Sequence, residues 1–186
     1  MNKDLNHYIY KTKLLSKKEC KKTVEELENA KFHTHYWFSP RGGITSDNGE
    51  QEPETSMELV DSHEIIMKKL HPKILEYMHH IDLPWYDAWN GYTNLKWNKY
   101  TSNTKMKVHC DHIHGFHGKG DTGVPILTCL GLLNDDFTGG EVIMFDNKKI
   151  DLKPGEVIIH PSNFLFPHEI KTVKKGKRYS FVSWVY

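Results

Sequence analysis

Histidine is frequent in this chain, 13 of 186 residues, so chemistry that needs an imidazole is the first to consider. Two His-x-Asp tripeptides occur, His80-Ile81-Asp82 and His109-Cys110-Asp111. About one such tripeptide is expected by chance at this composition, so the pattern alone says little. Context separates the two. The first closes an apolar run of helical period, where residues two apart look in different directions. The second ends a run of strand-forming residues, where positions i and i+2 share a face. An imidazole and a carboxylate on one strand face can bind the same cation, and Cys110 then turns to the opposite face as packing. A third ligand must come from another strand. Two histidines and one carboxylate form a facial triad that suits Fe(II) and leaves positions open for oxygen and substrate. His168 is the best candidate, because it follows the apolar strand Val157–Ile159 and precedes Arg178-Tyr179-Ser180, with Arg178 ten residues further on.

The elements that must position these residues fall into two blocks. Ser16 and Glu19 form a capping-box signal, and Cys20, Val24 and Leu27 recur at helical spacing, predicting a helix over 16–30. A second helix starts after Asp61 or Ser62 and carries Ile65, Ile66, Leu70, Ile74 and Tyr77, with Pro72 expected to kink or restart it. Between them, 39–55 is polar, contains Gly, Pro and Ser, and has no apolar period; it is expected to be a long mobile loop. Arg41-Gly42-Gly43 would form a closing lid there. Beyond Trp89, eight short segments rich in Val, Ile, Thr, Tyr and Trp alternate with Gly, Asn and Asp: 90–100, 105–111, 125–134, 141–145, 148–152, 156–160, 168–173 and 178–186. That spacing predicts a mainly β sandwich or jelly roll with the preceding helices on one outer face.

The stretch from Tyr100 to Tyr186 resembles the prolyl-4-hydroxylase-like branch of the 2-oxoglutarate/Fe(II) dioxygenase superfamily. The matching pieces, in order, are Tyr100 nine residues before His109, His109-x-Asp111, Leu133-Asn134, Gly139-Gly140-Glu141, Pro154-Gly155, His168 57 residues after Asp111, Arg178 and Trp184. The resemblance is detailed over the C-terminal half; the N-terminal helices share only its arrangement. It implies a double-stranded β-helix (cupin-like) core at 89–186, helical support and the loop at 1–88, and one dioxygenase domain throughout. It also implies Fe(II) held by His109, Asp111 and His168, with 2-oxoglutarate and O2 as cosubstrates and ascorbate as an accessory reductant.

The far carboxylate of 2-oxoglutarate would bind Arg178, whose guanidinium fork suits it better than an ammonium. Ser180 shares the face of Arg178, and the same parity turns Val182 and Trp184 inward and Tyr179, Phe181 and Val185 toward the helices. Tyr100, Thr128 and Trp184 complete the expected cosubstrate site. One departure stands out: Leu132 occupies the position where several family members carry a tyrosine for that carboxylate, and Thr128 on the same face is the expected partial substitute. Asp111 as a carboxylate argues against a halogenase, which needs that position vacant.

Bulk properties exclude several classes. A net charge of +1 indicates neither a nucleic-acid nor a membrane partner. The longest apolar stretch, 124–133, is too short to span a bilayer, and Met1–Lys13 has no apolar export signal. Three cysteines without CxxC spacing fit a reducing compartment, so the expected location is the cytoplasm, of this cell or of a host. His112, His114 and His117 read as surface or substrate-loop residues, and Gly139-Gly140 as a tight turn. The aromatics of 36–38 and 85–97 read first as core and second as a peptide groove. Hydroxylation of a prolyl residue in a protein or peptide is the leading function. A free amino acid or other small molecule is the next substrate class, and a cupin-like metal-binding protein without oxygenase activity the alternative of a different kind. Arg178 separates these, since a simple metal-binding barrel has no use for it.

Overall fold

The computed structural model describes residues 4–38, 44–45, 51–83, 89–112 and 124–186. Helix α1 (Lys17–Glu28) begins as its capping box dictates: the Glu19 N–H donates to Ser16 Oγ at 3.3 Å, and the Ser16 N–H donates to the Glu19 carboxylate at 2.8 Å. Helix α2 (Ser62–Ile81) runs through Pro72 without restarting there, which corrects that part of the expectation. Pro72 and Lys68, whose carbonyl loses its helical partner, both lie on the exposed side, where water can serve that oxygen. Asp82 ends the helix in a left-handed conformation, φ 50°, so the His80/Asp82 pair belongs to a helix terminus.

Fifteen strands are present among the described residues. The first five are β1 (Tyr10–Lys13), β2 (His33–Thr34), β3 (Trp37–Phe38), β4 (Ile44–Thr45) and β5 (Glu54–Ser56). The next five are β6 (Lys96–Tyr100), β7 (Met106–His109), β8 (Leu127–Leu132), β9 (Thr138–Gly139) and β10 (Val142–Met144). The last are β11 (Lys148–Ile150), β12 (Glu156–Pro161), β13 (His168–Ile170), β14 (Val173–Lys175) and β15 (Arg178–Val185). A seven-stranded antiparallel sheet runs β1-β12-β8-β15-β6-β5-β2, facing a four-stranded sheet β11-β10-β13-β7. This is the expected double-stranded β-helix.

Each of the eight strand segments expected after Trp89 contains a strand, but 168–173 holds β13 and the start of β14, with a bulge in the β13–β7 ladder. The N-terminal block corrects the sequence reading. β1 precedes α1 and pairs with β12, and β5 pairs with β6, so this block supplies sheet edges as well as helices. The segment 39–55 is not loop throughout: β4 pairs with β3, and β5 begins at Glu54. Short, partly polar strands carry no clear alternation, which is why periodicity missed them. Arg41-Gly42-Gly43 lies outside the described residues, as do Trp85, Tyr86, His114 and His117. Among the described residues no helix is long and apolar enough to cross a membrane.

Two cores result. The helices pack Cys20, Leu27, Ile66, Leu70, Ile74 and Tyr77 on the outer face of the large sheet, against Cys129, Val157, Ile159, Tyr179, Phe181 and Val185. The inner face contributes Leu130, Leu132, Ile158 and Tyr100 to a second core with Met106, Val142, Met144 and Ile170 of the small sheet. The parity expected for β15 is therefore the parity observed. Gly131 is required in the outer core: a Cβ there would lie 2.1 Å from the ring of Phe181, its cross-strand partner. Gly131→Ala is expected to lower unfolding stability by about 1–3 kcal/mol, read as the urea midpoint, because the ring has to move out of a packed layer.

Candidate metal centre and its cleft

The site is built by strand register. In the β13–β7 ladder His168 sits directly opposite His109, so both imidazoles leave the same face, with ring centroids 4.4 Å apart. Asp111 follows two residues beyond His109. His109 Nε2 lies 3.5 Å from Asp111 Oδ1, and His168 Nε2 lies 3.7 Å from Asp111 Oδ2. One ligand atom from each residue lies within 4.8 Å of the others, the only such group among the described residues. Backbone carbonyls orient both rings: His109 Nδ1 lies 2.7 Å from Lys107 O, and His168 Nδ1 3.2 Å from Phe166 O. A carbonyl can only accept, so Nδ1 carries the proton and a neutral ring presents a free Nε2 lone pair to the centre.

Electrostatics agree with that protonation at His168. Burial pushes the His168 pKa down to about 3, assisted by His109 and opposed by Asp111. Burial alone would raise the Asp111 pKa, but His168, His109 and the Thr128 hydroxyl outweigh it and hold the carboxyl below the usual carboxylate range. His168 thus offers a neutral nitrogen and Asp111 an anionic oxygen, with His109 Nε2 turned toward the same carboxylate.

Thr128 is where expectation and structure part. Its Oγ1 donates to Asp111 Oδ2 at 2.6 Å, and Ser162 Oγ lies 2.9 Å from the same Oγ1. The only hydroxyl proton of Thr128 goes to the carboxylate, so Ser162 donates to Thr128 in turn. Thr128 thus steadies Asp111 with its hydroxyl proton, a contact the sequence reading did not foresee. Ser162 was missed in the sequence. It shares strand parity with Ile158 and His160, but a serine just past a strand end carries no distinguishing signal.

Arg178 is 1% exposed and emerges from β15 opposite Tyr100. Its Nη1 donates to Ser180 Oγ at 2.8 Å, and its guanidinium lies 5.0 Å from the Tyr100 ring centroid. Its Nε and Nη2 are buried without a partner. An uncompensated buried cation costs several kcal/mol, so these two donors mark a place for an anion. Gly140 makes room for the stem: at φ +65°, a Cβ there would come 2.9 Å from Arg178 Cδ. The Gly139-Gly140 turn therefore has a packing role as well. Burial raises the Tyr100 pKa to about 12, so it stays a neutral phenol beside that anion place. Leu132, opposite Ser180, is simply apolar core.

The cleft over the triad is walled by Trp184, Lys96, Asn98, Tyr100, Trp37 and His35. Trp184 is where parity put it. Trp37 packs edge-on against His109, centroids 5.3 Å apart, and its Nε1 donates to buried Glu52 at 2.9 Å. Lys96 and Asn98 were also missed, although both share the strand face of Tyr100 and the same parity identifies them. Of the other aromatics, Trp97 is core and Trp89 and Tyr92 pack against it. His112 is exposed, its Nδ1 3.2 Å from Pro125 O, and takes no part in the triad.

The comparisons agree with this geometry. The sequence profile of the 2OG-Fe(II) oxygenase superfamily matches residues 95–186. A "PKHD-type hydroxylase" of Prochlorococcus marinus strain MIT 9301 is 33% identical over 95 residues, 49% of this chain. The match spans 40% of that relative's length. Among solved structures, a Trichoplax adhaerens prolyl hydroxylase bound to a peptide of hypoxia inducible factor superposes with a TM-score of 0.69 at 18% identity, over 98% of this chain and 85% of that one. A viral collagen prolyl hydroxylase of Paramecium bursaria Chlorella virus-1, solved with 2OG, superposes with a TM-score of 0.65 at 16% identity, over 96% and 94% of the two chains.

Without metal, the buried imidazoles make the fold acid-sensitive. Burial also lowers the pKa of His35, to about 3, and that of His160. Each folded-state value lies below the unfolded value of about 6.5, so the unfolded chain takes up protons first as pH falls. The stability these neutral rings hold at pH 7.5 is lost from about 6.5 downward. The urea midpoint of metal-free protein is expected to be lower at pH 5.0 than at 7.5, and less so in His160→Gln; a flat profile would contradict neutral buried imidazoles.

Proposed function

We propose that this chain, whose residues 95–186 match the profile of the 2OG-Fe(II) oxygenase superfamily, is an Fe(II)- and 2-oxoglutarate-dependent dioxygenase that hydroxylates a C–H bond, foremost in a prolyl residue of a peptide or protein. The observation that carries this is the pairing of two features in one β-helix: three convergent ligands, and a buried Arg178 whose Nε and Nη2 await an anion. A metal-binding barrel without cosubstrate explains the first and not the second.

His109 and His168 would hold the iron through Nε2, and Asp111 through a carboxylate oxygen. Arg178 takes the far carboxylate of 2-oxoglutarate, and the Tyr100 phenol beside it is the donor that stands in for the tyrosine absent at Leu132. When bound, iron, 2-oxoglutarate and O2 together supply the oxidising chemistry, releasing succinate and CO2, with ascorbate as the reductant that rescues idle centres. The protein's part is orientation. Lys107 and Phe166 carbonyls set the imidazole tautomers, Thr128 and Ser162 steady Asp111, and the walls of Trp184 and Trp37 keep water from the reacting atoms. The prolyl assignment is supported by the prolyl hydroxylases among the structural neighbours and by the aromatic cleft wall.

Anaerobic addition of Fe(II) and 2-oxoglutarate is expected to produce a visible metal-to-ligand charge-transfer band. Asp111→Ala should lose the band's normal strength and nearly all succinate formation; a wild-type protein with neither band nor turnover would refute the enzyme reading. Thr128→Val is expected to weaken Fe(II) binding about 10- to 100-fold, with Thr128→Ser near wild type. A panel of internal-proline peptides tests the substrate by mass shift. Hydroxylation of none of them, with succinate release intact, moves the substrate to a small molecule.

A further inference from the structure

The face of β6 that looks into the cleft carries Asn98 two residues from Tyr100. Strand register sets Asn98 in one row across the large sheet, between Thr55 of β5 and Ser180 of β15. Residues paired in this way leave the sheet on the same face, so Thr55 and Ser180 flank the amide directly. Both flanking hydroxyls are engaged elsewhere. Thr55 Oγ1 shares a hydrogen bond with His33 Nε2 at 3.3 Å, and Ser180 Oγ accepts from Arg178 Nη1 at 2.8 Å. Asn98 itself is 4% exposed, and its Oδ1 is buried with no donor among the described residues. An amide oxygen in that condition forfeits the hydrogen bond that water gives it in the unfolded chain. A position that served packing alone would have no need of the amide.

Chemistry narrows the ligand that restores the missing bond. The last torsion of an asparagine is broad, so Oδ1 turns toward the cleft with the rest of the side chain in place. An amide oxygen only accepts, so it must meet an N–H or an O–H there. At neutral pH 2-oxoglutarate is two carboxylates and a ketone, acceptors throughout, and supplies no such hydrogen. Arg178, which suits its far carboxylate, lies opposite Tyr100, about 7 Å along β6 from Asn98. The primary substrate is left as the source of the donor. A prolyl residue inside a peptide has no hydrogen on its own nitrogen. The nearest donor on its carboxyl side is the N–H of the following residue.

We propose that Asn98 is a specificity-determining residue whose Oδ1 accepts the N–H of the peptide bond on the carboxyl side of the hydroxylated residue. This rests on the hydroxylase reading and narrows its substrate class to a peptide or protein in which another residue follows the hydroxylated one. An ester, a tertiary amide or a free carboxylate at that bond leaves Oδ1 as it stands in the free protein. A free amino acid lacks the bond altogether.

The test uses the internal-proline peptides on Fe(II)- and 2-oxoglutarate-loaded protein without oxygen, with binding read by perturbation of the charge-transfer band. Each peptide is matched with its depsipeptide, in which an ester oxygen replaces the N–H after proline. At least one peptide is expected to bind about ten-fold tighter than its ester, or better. Asn98→Leu should remove most of that preference, and Asn98→Asp, which keeps an acceptor, should retain most of it. Half-saturation by 2-oxoglutarate should be unchanged in Asn98→Leu. The urea midpoint of that variant without ligands should stand at or above the wild-type value, because a buried unmet acceptor has gone. Equal binding of peptides and esters, or binding of no peptide, overturns the proposal. A preference that survives in Asn98→Leu, or is lost in Asn98→Asp, overturns it as well. Weakened 2-oxoglutarate binding in Asn98→Leu would assign the amide to the cosubstrate, and a lower urea midpoint would assign it to the fold; either result sinks the substrate role. None of these outcomes touches the hydroxylase reading, which fails separately if the wild-type band is absent before any peptide is added.

Discussion

The antiparallel pairing of β7 with β13 sets His168 directly across from His109, and every other feature of the centre is arranged around that register. A slip of one residue would send one imidazole to the opposite face of the small sheet and leave two ligands where three are needed. The bulge between His168 and Ile170 shows that the ladder is irregular just beyond this pair, so the register at the histidines must be held by what lies on either side. On one side, Met144 of β10 pairs with His168 and is wholly buried. On the other, Met106 and Ile170 are packed into the inner core. Apolar burial in the small sheet is thus what aligns polar groups at its end.

The large sheet does complementary work. Its outer face is apolar and covered by the helices; its inner face is apolar only toward the closed end and becomes polar where β6, β8 and β15 pass the cleft. Thr128, Asn98, Ser180, Arg178 and Lys96 all leave this inner face. Such a concentration of polar groups costs folding energy unless each finds a partner. Thr128 and Ser180 find theirs inside the protein. Arg178 and Asn98 do so only in part, leaving Nε and Nη2 of the one and Oδ1 of the other buried without a partner. The stability withheld at these atoms is available to whatever binds them.

From the sequence alone came the two helices, the eight β segments, the inner and outer parity of β15, the three converging side chains and Arg178. Those are properties of residue type and of periods 2 and 3.6, which survive without knowledge of neighbours. What only the tertiary structure decided was pairing. The pairing of β1 with β12 and of β5 with β6, the hydrogen bond of Thr128 to Asp111, the hydroxyl of Ser162 behind it, and the placement of Lys96 and Asn98 beside the centre all depend on which residue lies across from which. Partners remote along the chain set those contacts, and a linear pattern carries no record of who faces whom.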